Sequence, residues 1–406
     1  MSSKNNSTNS TNSDSTNSTN SNSTNSNSDY IDWTEFIIKD RYMILKKIGK
    51  GSYCKVFLSY DIQLKKFIAL KIYNEEDTED AQNEILVLNQ IKKLNLSNVI
   101  LYNETFNYEY DDNIYIIQTI DLCGYSLNYI IKLFKDDFKD DNILYQKYIN
   151  FIYNSYLKLN NILIELHLNE YSHTDIKPEN ILIDLPILEN TLYLDKIKKI
   201  HNELNTIKKK KNINTILQNE CKKIINQNEI SENDIKQYLK EFNYSIKLSD
   251  FGTALKIGDD TIYKKHTQYY KSPKILLKYP LDYTYDFWSL GCTLFELLTM
   301  EILFDPYSSD IEDLFNTSDD RNLMYLIVST LGIPDKNILL KSLESDIYFN
   351  TTYNYCRGYN EIKFNNFIQK LYNNNNKIIY EDIKLKYNEL INVIIKYINY
   401  SYLFNI

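Results

Sequence analysis

Apolar and polar positions change rhythm twice along this chain. Tyr42-Met-Ile-Leu-Lys-Lys-Ile48, Lys55–Tyr60 and Lys66–Tyr73 are short apolar runs rich in branched and aromatic residues, and they predict three strands. Ile85, Leu88 and Ile91 then recur on one helical face, and Leu101–Tyr108 and Ile114–Ile120 predict two more strands. From about Leu127 the period becomes helical, most clearly from Tyr148 to His167. Two short strands, Ile181–Leu185 and Ser245–Leu248, flank a long polar insertion at 186–244. After Pro280 helical periodicity runs on to Ile406. A small β-rich half (about 42–122) followed by a larger helical half (about 123–406) predicts a bilobal α+β arrangement.

Composition narrows the function classes. Of 406 residues, 43% are hydrophobic and 25% charged, as in ordinary globular proteins. A net charge of −8 argues against a general nucleic-acid or anionic-membrane binder. No apolar run reaches the roughly 18 residues that span a bilayer. Residues 1–28 are Ser, Thr or Asn apart from Met1, Lys4 and Asp14, which predicts a disordered tail without a secretory signal. The five cysteines (Cys54, Cys123, Cys221, Cys292, Cys356) are scattered, so neither a disulfide framework nor a zinc site is expected. A reducing compartment, cytoplasmic or nuclear, is the expectation. The insertion carries 11 Lys, including Lys208–Lys211, and 8 acidic residues; a solvated surface segment is the leading reading, a localisation or docking element the alternative.

Five segments carry chemistry. Ile48-Gly49-Lys50-Gly51-Ser52-Tyr53-Cys54-Lys55-Val56 lies between two predicted strands, where glycines let backbone N–H groups approach phosphates; a plain hairpin turn is the competing explanation. Lys71, inside an apolar strand, needs a counter-charge, and Glu84 on the next helix is the best candidate; taken alone, the two residues read more readily as an ordinary surface ion pair. His173-Thr174-Asp175-Ile176-Lys177-Pro178-Glu179-Asn180 packs an acid, an ammonium and an amide together. Such a set can orient a hydroxyl, neutralise a phosphoryl group and ligate a divalent cation. Asp250-Phe251-Gly252 ends a strand with a carboxylate suited to a magnesium ion; a plain Asp-turn is the competing explanation. Asp286 opens an apolar helix, where an N-cap is the plain reading.

The order and spacing of these segments resemble the eukaryotic protein kinases, from about Tyr42 nearly to the C-terminus. Asp175-x-Lys-Pro-Glu-Asn180 resembles the Ser/Thr form of the catalytic loop. Thr174, the long insertion before Asp250, Gly124–Lys132, Leu303-Phe-Asp-Pro306 and Asp319–Leu323 through Gly332 look like the SR-protein kinases, which act on Arg/Ser-rich proteins. The resemblance implies ATP between the lobes, under the Ile48–Val56 loop, with Lys71 held by Glu84 against its phosphates. It implies Mg²⁺ held by Asn180 and Asp250, catalytic roles for Asp175, Lys177 and Thr267, and Asp286 as an anchor for the catalytic loop. It further implies a monomer acting on protein substrates, with Arg/Ser-rich proteins the candidate class, and no direct contact with nucleic acid or membrane.

Departures from that pattern have consequences. Thr174 stands where many kinases carry Arg, so activity without activation-loop phosphorylation is expected. Lys274 stands where the family has Glu, and no Arg follows Arg357. A missing buried ion pair and a less rigid C-terminal half are therefore expected. Acidic residues Asp310, Glu312, Asp313, Asp319 and Asp320 offer a surface for Arg-rich peptides, or an ordinary solvated loop. Two further readings stay open: a pseudokinase scaffold, favoured by Cys54 and Lys274, and a proline-directed kinase of the same wider group, compatible with Lys271.

Overall fold

A computed structural model describes residues 31–51, 54–73, 78–185, 188–206, 212–227, 231–258, 266–280, 282–308, 318–356, 364–373 and 377–405. The chain divides into two units, Met1–Trp33 and Thr34–Ile406. Of the first, Ile31–Trp33 are described, and the expected tail at 1–28 lies outside the described residues. The sheet, the long helices and the candidate site all belong to the second unit.

Six antiparallel strands form its N-terminal sheet, in the order β1-β2-β3-β4-β6-β5. They are β1 (Ile37–Ile38), β2 (Tyr42–Lys50), β3 (Cys54–Asp61), β4 (Lys66–Tyr73), β5 (Tyr102–Tyr110) and β6 (Asn113–Asp121), with helix α1 (Thr78–Lys93) between β4 and β5. β4 reads Lys-Phe-Ile-Ala-Leu-Lys-Ile-Tyr and is buried along nearly its whole length, which is why it sits centrally in the sheet. β2 starts buried at Tyr42–Leu45 and becomes largely exposed over Lys46–Lys50, where it rises into the glycine-bearing turn.

The remainder is mostly helical: α2 (Leu127–Phe134), α3 (Asp137–Asp140) and α4 (Asn142–Leu168) lead to the short strands β7 (Tyr171–Ser172) and β8 (Ile181–Ile183). α4 begins six residues before its expected start because the Asp141 carboxylate caps it, accepting from the Ile143 and Leu144 amides. Helices α5 (Leu188–Thr206), α6 (Ile213–Gln227) and α7 (Glu232–Leu239) intervene before β9 (Ile246–Leu248), which pairs directly with β8. Then come β10 (Leu255–Lys256), α8 (Pro273–Leu276), α9 (Thr284–Thr299), α10 (Asp319–Leu331), α11 (Lys336–Lys341), α12 (Phe364–Asn373), α13 (Glu381–Tyr397) and α14 (Tyr400–Phe404). α9 is buried from Thr284 to Leu298, the mark of a helix at the centre of its core. This is the expected α+β arrangement, an antiparallel sheet followed by a helical region.

The insertion departs from its leading reading. Its described helices are not a merely solvated surface. Ile197, Leu204, Leu217, Cys221 and Ile225 of α5 and α6 are buried against Met43, Leu45, Leu58, Tyr60 and Phe67 of the sheet. Ile235, Leu239 and Phe242 join the helical core beside Phe134, Phe138, Tyr148 and Phe151. The sequence shows the amphipathic period of these helices but not what their apolar faces meet. Lys208–Lys211 lie outside the described residues.

Candidate active site

Successive side chains of a strand alternate faces, so Lys71 and Tyr73 of β4 point the same way, toward α1. There Lys71 Nζ reaches both Glu84 oxygens, at 2.6 and 2.8 Å. Tyr73 donates its hydroxyl to the same carboxylate and lies 3.1 Å from Gln118 Oε1. Lys71 is 7% and Glu84 5% exposed. Burial disfavours the Lys71 charge, but Glu84 and then Asp250 outweigh it and raise its pKa well above the usual lysine range. The pair is a buried one rather than the surface ion pair that Lys71 and Glu84 would otherwise suggest. Tyr73 escaped the sequence reading, although period two had placed it on the face of Lys71.

The glycine-bearing turn adjoins this strand. Gly49 pairs with Val56 and Lys50 with Lys55, while Val56 pairs with Lys71 on its other side. The Gly51 amide donates to the Cys54 carbonyl at 2.9 Å. Ile48 is exposed at the end of β2. Burial pushes the Cys54 thiol up to about 11, so this residue is a small, protonated filler beside the turn. Ser52 and Tyr53 lie outside the described residues.

Asp250 approaches Lys71 from the other half of the molecule, with 3.5 Å between Oδ1 and Nζ. Its side chain is 48% exposed. Partial burial favours the protonated acid, but the Lys71 ammonium foremost outweighs it and holds the Asp250 carboxyl below the usual range. Asp250 adopts a left-handed backbone, φ 60°. Gly252, two residues on, sits in a tight space: a Cβ there would stand 3.1 Å from Glu84 Oε2 and 3.2 Å from Asp250 Oδ1, so those side chains would have to give way.

The third group surrounds Asp175. Lys177 Nζ lies 2.6 Å from Asp175 Oδ2 and 2.8 Å from Thr267 Oγ1, and the Thr267 hydroxyl donates to Asp175 Oδ1 at 2.6 Å. Asn180 Nδ2 donates to Asp175 Oδ2 at 3.0 Å and to its carbonyl at 2.9 Å. The Asn180 carbonyl in turn accepts from the Ser249 amide at 2.8 Å, next to Asp250. The structure therefore brings together Asp175, Lys177, Asn180, Thr267 and Asp250, with Lys71 and Glu84 across from them.

The segment before Asp175 carries backbone strain. Thr174 has φ 70°, an outlier for a β-branched residue. Asp286 holds it in place. Its oxygens accept from the His173 and Thr174 amides at 2.9 and 2.8 Å and meet His167 Nε2 at 2.9 Å. Burial would raise the Asp286 pKa; His167 and the amides reverse that and leave it below the ordinary carboxylate range. Asp286 is thus the anchor of another segment rather than a cap, since α9 begins without a side-chain cap at Tyr283. The Thr174 hydroxyl donates to the Thr253 carbonyl at 2.8 Å, and His266 Nδ1 meets the Thr174 carbonyl at 2.9 Å. Nothing in the sequence pattern singled out Thr253 or His266.

Comparison with known proteins decides what this constellation is. The protein kinase domain model matches residues 42–377. The chain belongs to the protein kinase domain family. A probable serine/threonine-protein kinase dyrk2 from Dictyostelium discoideum is 24% identical to it over 312 residues, 76% of this chain and 26% of that one. The serine/threonine-protein kinase AFC3 from Arabidopsis thaliana is 25% identical over 273 residues, 66% of this chain and 57% of its own. The serine/threonine-protein kinase SRPK from Physarum polycephalum is 32% identical over 106 residues, 26% of this chain and 24% of its own. This kinase-domain chain thus spans from about a quarter to somewhat over half the length of these relatives. Their names fall in three branches of Ser/Thr kinases, and the branch of this member is not resolved among them.

Proposed function

We propose that this protein is a Ser/Thr protein kinase that transfers the γ-phosphoryl group of ATP to protein hydroxyls, with Arg/Ser-rich proteins as its substrate class. One observation carries the reading: how the Asp175 carboxylate is occupied. A carboxylate offers about four lone-pair sites. Thr267, Lys177 and Asn180 take three of them, which leaves one for a substrate hydroxyl. As the new O–P bond forms and the bond to the ADP oxygen breaks, the hydroxyl proton passes to Asp175. Lys177 balances charge on the moving group, and Lys71, fixed by Glu84, meets the remaining phosphates. The glycine-bearing end of β2, at Gly49–Gly51, would lie over them.

A magnesium ion suits the donors present. Asp250 offers a half-exposed carboxylate. The Asn180 Nδ2 is committed to Asp175, so its Oδ1 is the atom that would face a cation. Among the described residues no group of three or more His, Cys, Asp or Glu could cage a metal. Magnesium bound by one or two side chains plus substrate phosphates needs no such cage. When bound, it would neutralise charge on the phosphate oxygens.

The substrate class rests on less. Asp320 accepts from Gln268 Nε2 at 2.5 Å and Lys271 Nζ at 2.6 Å, which sets an acidic group beside the segment following Thr267. Tyr307 donates to Asp319 at 2.9 Å. Asp310, Glu312 and Asp313 lie outside the described residues. The test is Mg-ATP phosphotransfer to an Arg-Ser peptide and to a Ser-Pro peptide, wild type beside Asp175→Ala. Transfer to the Arg-Ser peptide, lost in the variant, is the expected result. Preference for Ser-Pro overturns the substrate class alone; no transfer from the wild type favours a scaffold.

A further inference from the structure

One insertion is buried in both halves of this molecule. β8 and β9 are antiparallel neighbours, yet residues 184–245 intervene between them. Both strands belong to the catalytic side: Asn180 immediately precedes β8, and Asp250 follows β9 by two residues. β8 is also tied to the segment leaving the sheet, where the Gly124 amide donates to the Ile183 carbonyl at 3.0 Å. That approach is close, since a Cβ on Gly124 would fall 2.5 Å from Ile183 Cγ1 and from the Leu185 carbonyl.

From this root the insertion reaches the N-terminal sheet. α6 runs against β2 and α5 against β4. On β4, Phe67 and Lys71 share a face by strand periodicity, roughly 13 Å apart at four residues' rise. The insertion buries Phe67 at one end of that face, and α1 buries Tyr73 at the other. Gln218, 3% exposed, fixes the contact. Its Nε2 lies 3.0 Å from the Thr34 and Phe36 carbonyls and 3.1 Å from that of Ile44. Tyr60 Oη and His201 Nδ1 are 3.3 Å apart. At the rim Lys222 pairs with Glu35 at 2.7 Å, and Lys65 donates to Asn202 at 3.0 Å. α7 meanwhile is packed into the helical core.

We propose that the insertion is an intramolecular strap that sets the spread of the cleft, with Gln218 as its positioning residue. It joins the two strands that adjoin Asn180 and Asp250 covalently, and it grips the sheet bearing Lys71 and the glycine turn by packing and hydrogen bonds. Packed elements transmit displacement because interiors are close-packed. Slack in the grip therefore lets Lys71 drift from Asp250 while each half stays folded. The strap thus acts on nucleotide binding rather than on the proton transfer at Asp175. This inference rests on the kinase reading, in that the ligand positioned is a nucleotide.

The test uses the full chain and a fluorescent ATP analogue with Mg²⁺, in wild type, Gln218→Ala and the rim variant Lys222→Ala. Couplings of ordinary size correspond to about 5–150-fold in affinity. Gln218→Ala is expected to weaken binding, and to raise KM for ATP, by about 5-fold or more, with kcat changed less. Lys222→Ala should shift both in the same direction by a smaller factor. Amide exchange should accelerate in β2–β4 and not in α9. Should Gln218→Ala prove globally unfolded, Lys222→Ala decides: weaker binding supports the strap, unchanged binding overturns it. A folded Gln218→Ala with wild-type affinity also overturns it, even if its melting point falls, because that marks a merely structural contact. A wild type that binds no nucleotide refutes the reading of the site instead.

Discussion

Lys274 Nζ lies 2.8 Å from Asp282 Oδ1, in the position where the family resemblance places a glutamate paired with a distant arginine. The ion pair is not missing, as the sequence suggested; its charges are exchanged and its partner is eight residues away. Thr284 Oγ1 sits 3.0 Å from the same ammonium and donates to the Leu403 carbonyl at 2.7 Å. Asn405 donates to Asp282 Oδ2 at 2.7 Å. The Tyr279 and Phe404 rings flank Lys274 at 5.4 and 5.6 Å. α8, the start of α9 and α14 are thereby tied together, which removes the reason to expect a loosened C-terminal half.

Removing one member of that pair strands the other. Asp282→Ala leaves Lys274, whose side chain is 1% exposed, without its counter-charge. The cost should approach the lower end of the about 3–5 kcal/mol typical of broken buried pairs, since Asp282 keeps some water contact. Lys274→Met with Asp282→Leu together should cost clearly less than Asp282→Ala alone. The pH dependence has a definite sign. Burial would raise the Asp282 pKa, but Lys274 and Thr284 outweigh it and lower it from the ordinary 3.8. Its stabilisation is therefore present above that value and lost as pH falls through the lowered one. Denaturant unfolding at several pH values checks both points. A cost for Asp282→Ala indistinguishable from that of an exposed Asp would show that the pair contributes nothing to the fold.

Thr174 makes the case for constitutive activity. Its hydroxyl bonds the Thr253 carbonyl, and its own carbonyl meets His266, so the catalytic and following segments are joined without a phosphate. The expected outcome is an unchanged transfer rate after exhaustive phosphatase treatment. Loss of activity, restored by rephosphorylation, would show that these two bonds do not suffice.

Chemistry and binding should separate at the site. Asp175→Ala should lower kcat by about 10²–10⁴-fold, the usual worth of a positioned base, and leave nucleotide affinity near wild type. Lys71→Met should weaken nucleotide binding, because it removes the cation aligned by Glu84. Single-turnover rates beside equilibrium nucleotide titration distinguish the two. If both variants lost affinity equally, Asp175 and Lys71 would not have separate roles.

Legibility in the sequence depended on how local each signal is. β4 was readable over its whole length because Lys66–Tyr73 combines branched residues with a central, doubly buried position. The cluster about Asp175 was readable because Lys177 and Asn180 lie within five residues of it. Lys274 misled, because its partner lies on the turn before α9 and an anticipated partner in the last helices hid it. The insertion was obscure for another reason. Leu217, Cys221 and Ile225 recur every four residues among polar neighbours, a period that announces a buried face without saying whose.

His201 gives the strap a pH dependence of its own. It is 5% exposed beside Tyr60, with Lys65 nearby. Burial first, and Lys65 second, lower its pKa from the ordinary 6.5. Because the folded value lies below the unfolded one, its contribution is complete above 6.5 and declines as pH falls toward the lowered value. Tyr60 does not compete in this range: burial, with Cys221 and Asp61 behind it, pushes its pKa up to about 12. Between about pH 7.5 and pH 5.5 the grip on β3 should therefore loosen, weakening nucleotide binding more steeply in the wild type than in His201→Gln. Titration of both proteins with the same fluorescent nucleotide at each pH makes the comparison. Parallel pH profiles would mean that protonation elsewhere governs the cleft and that His201 merely fills space.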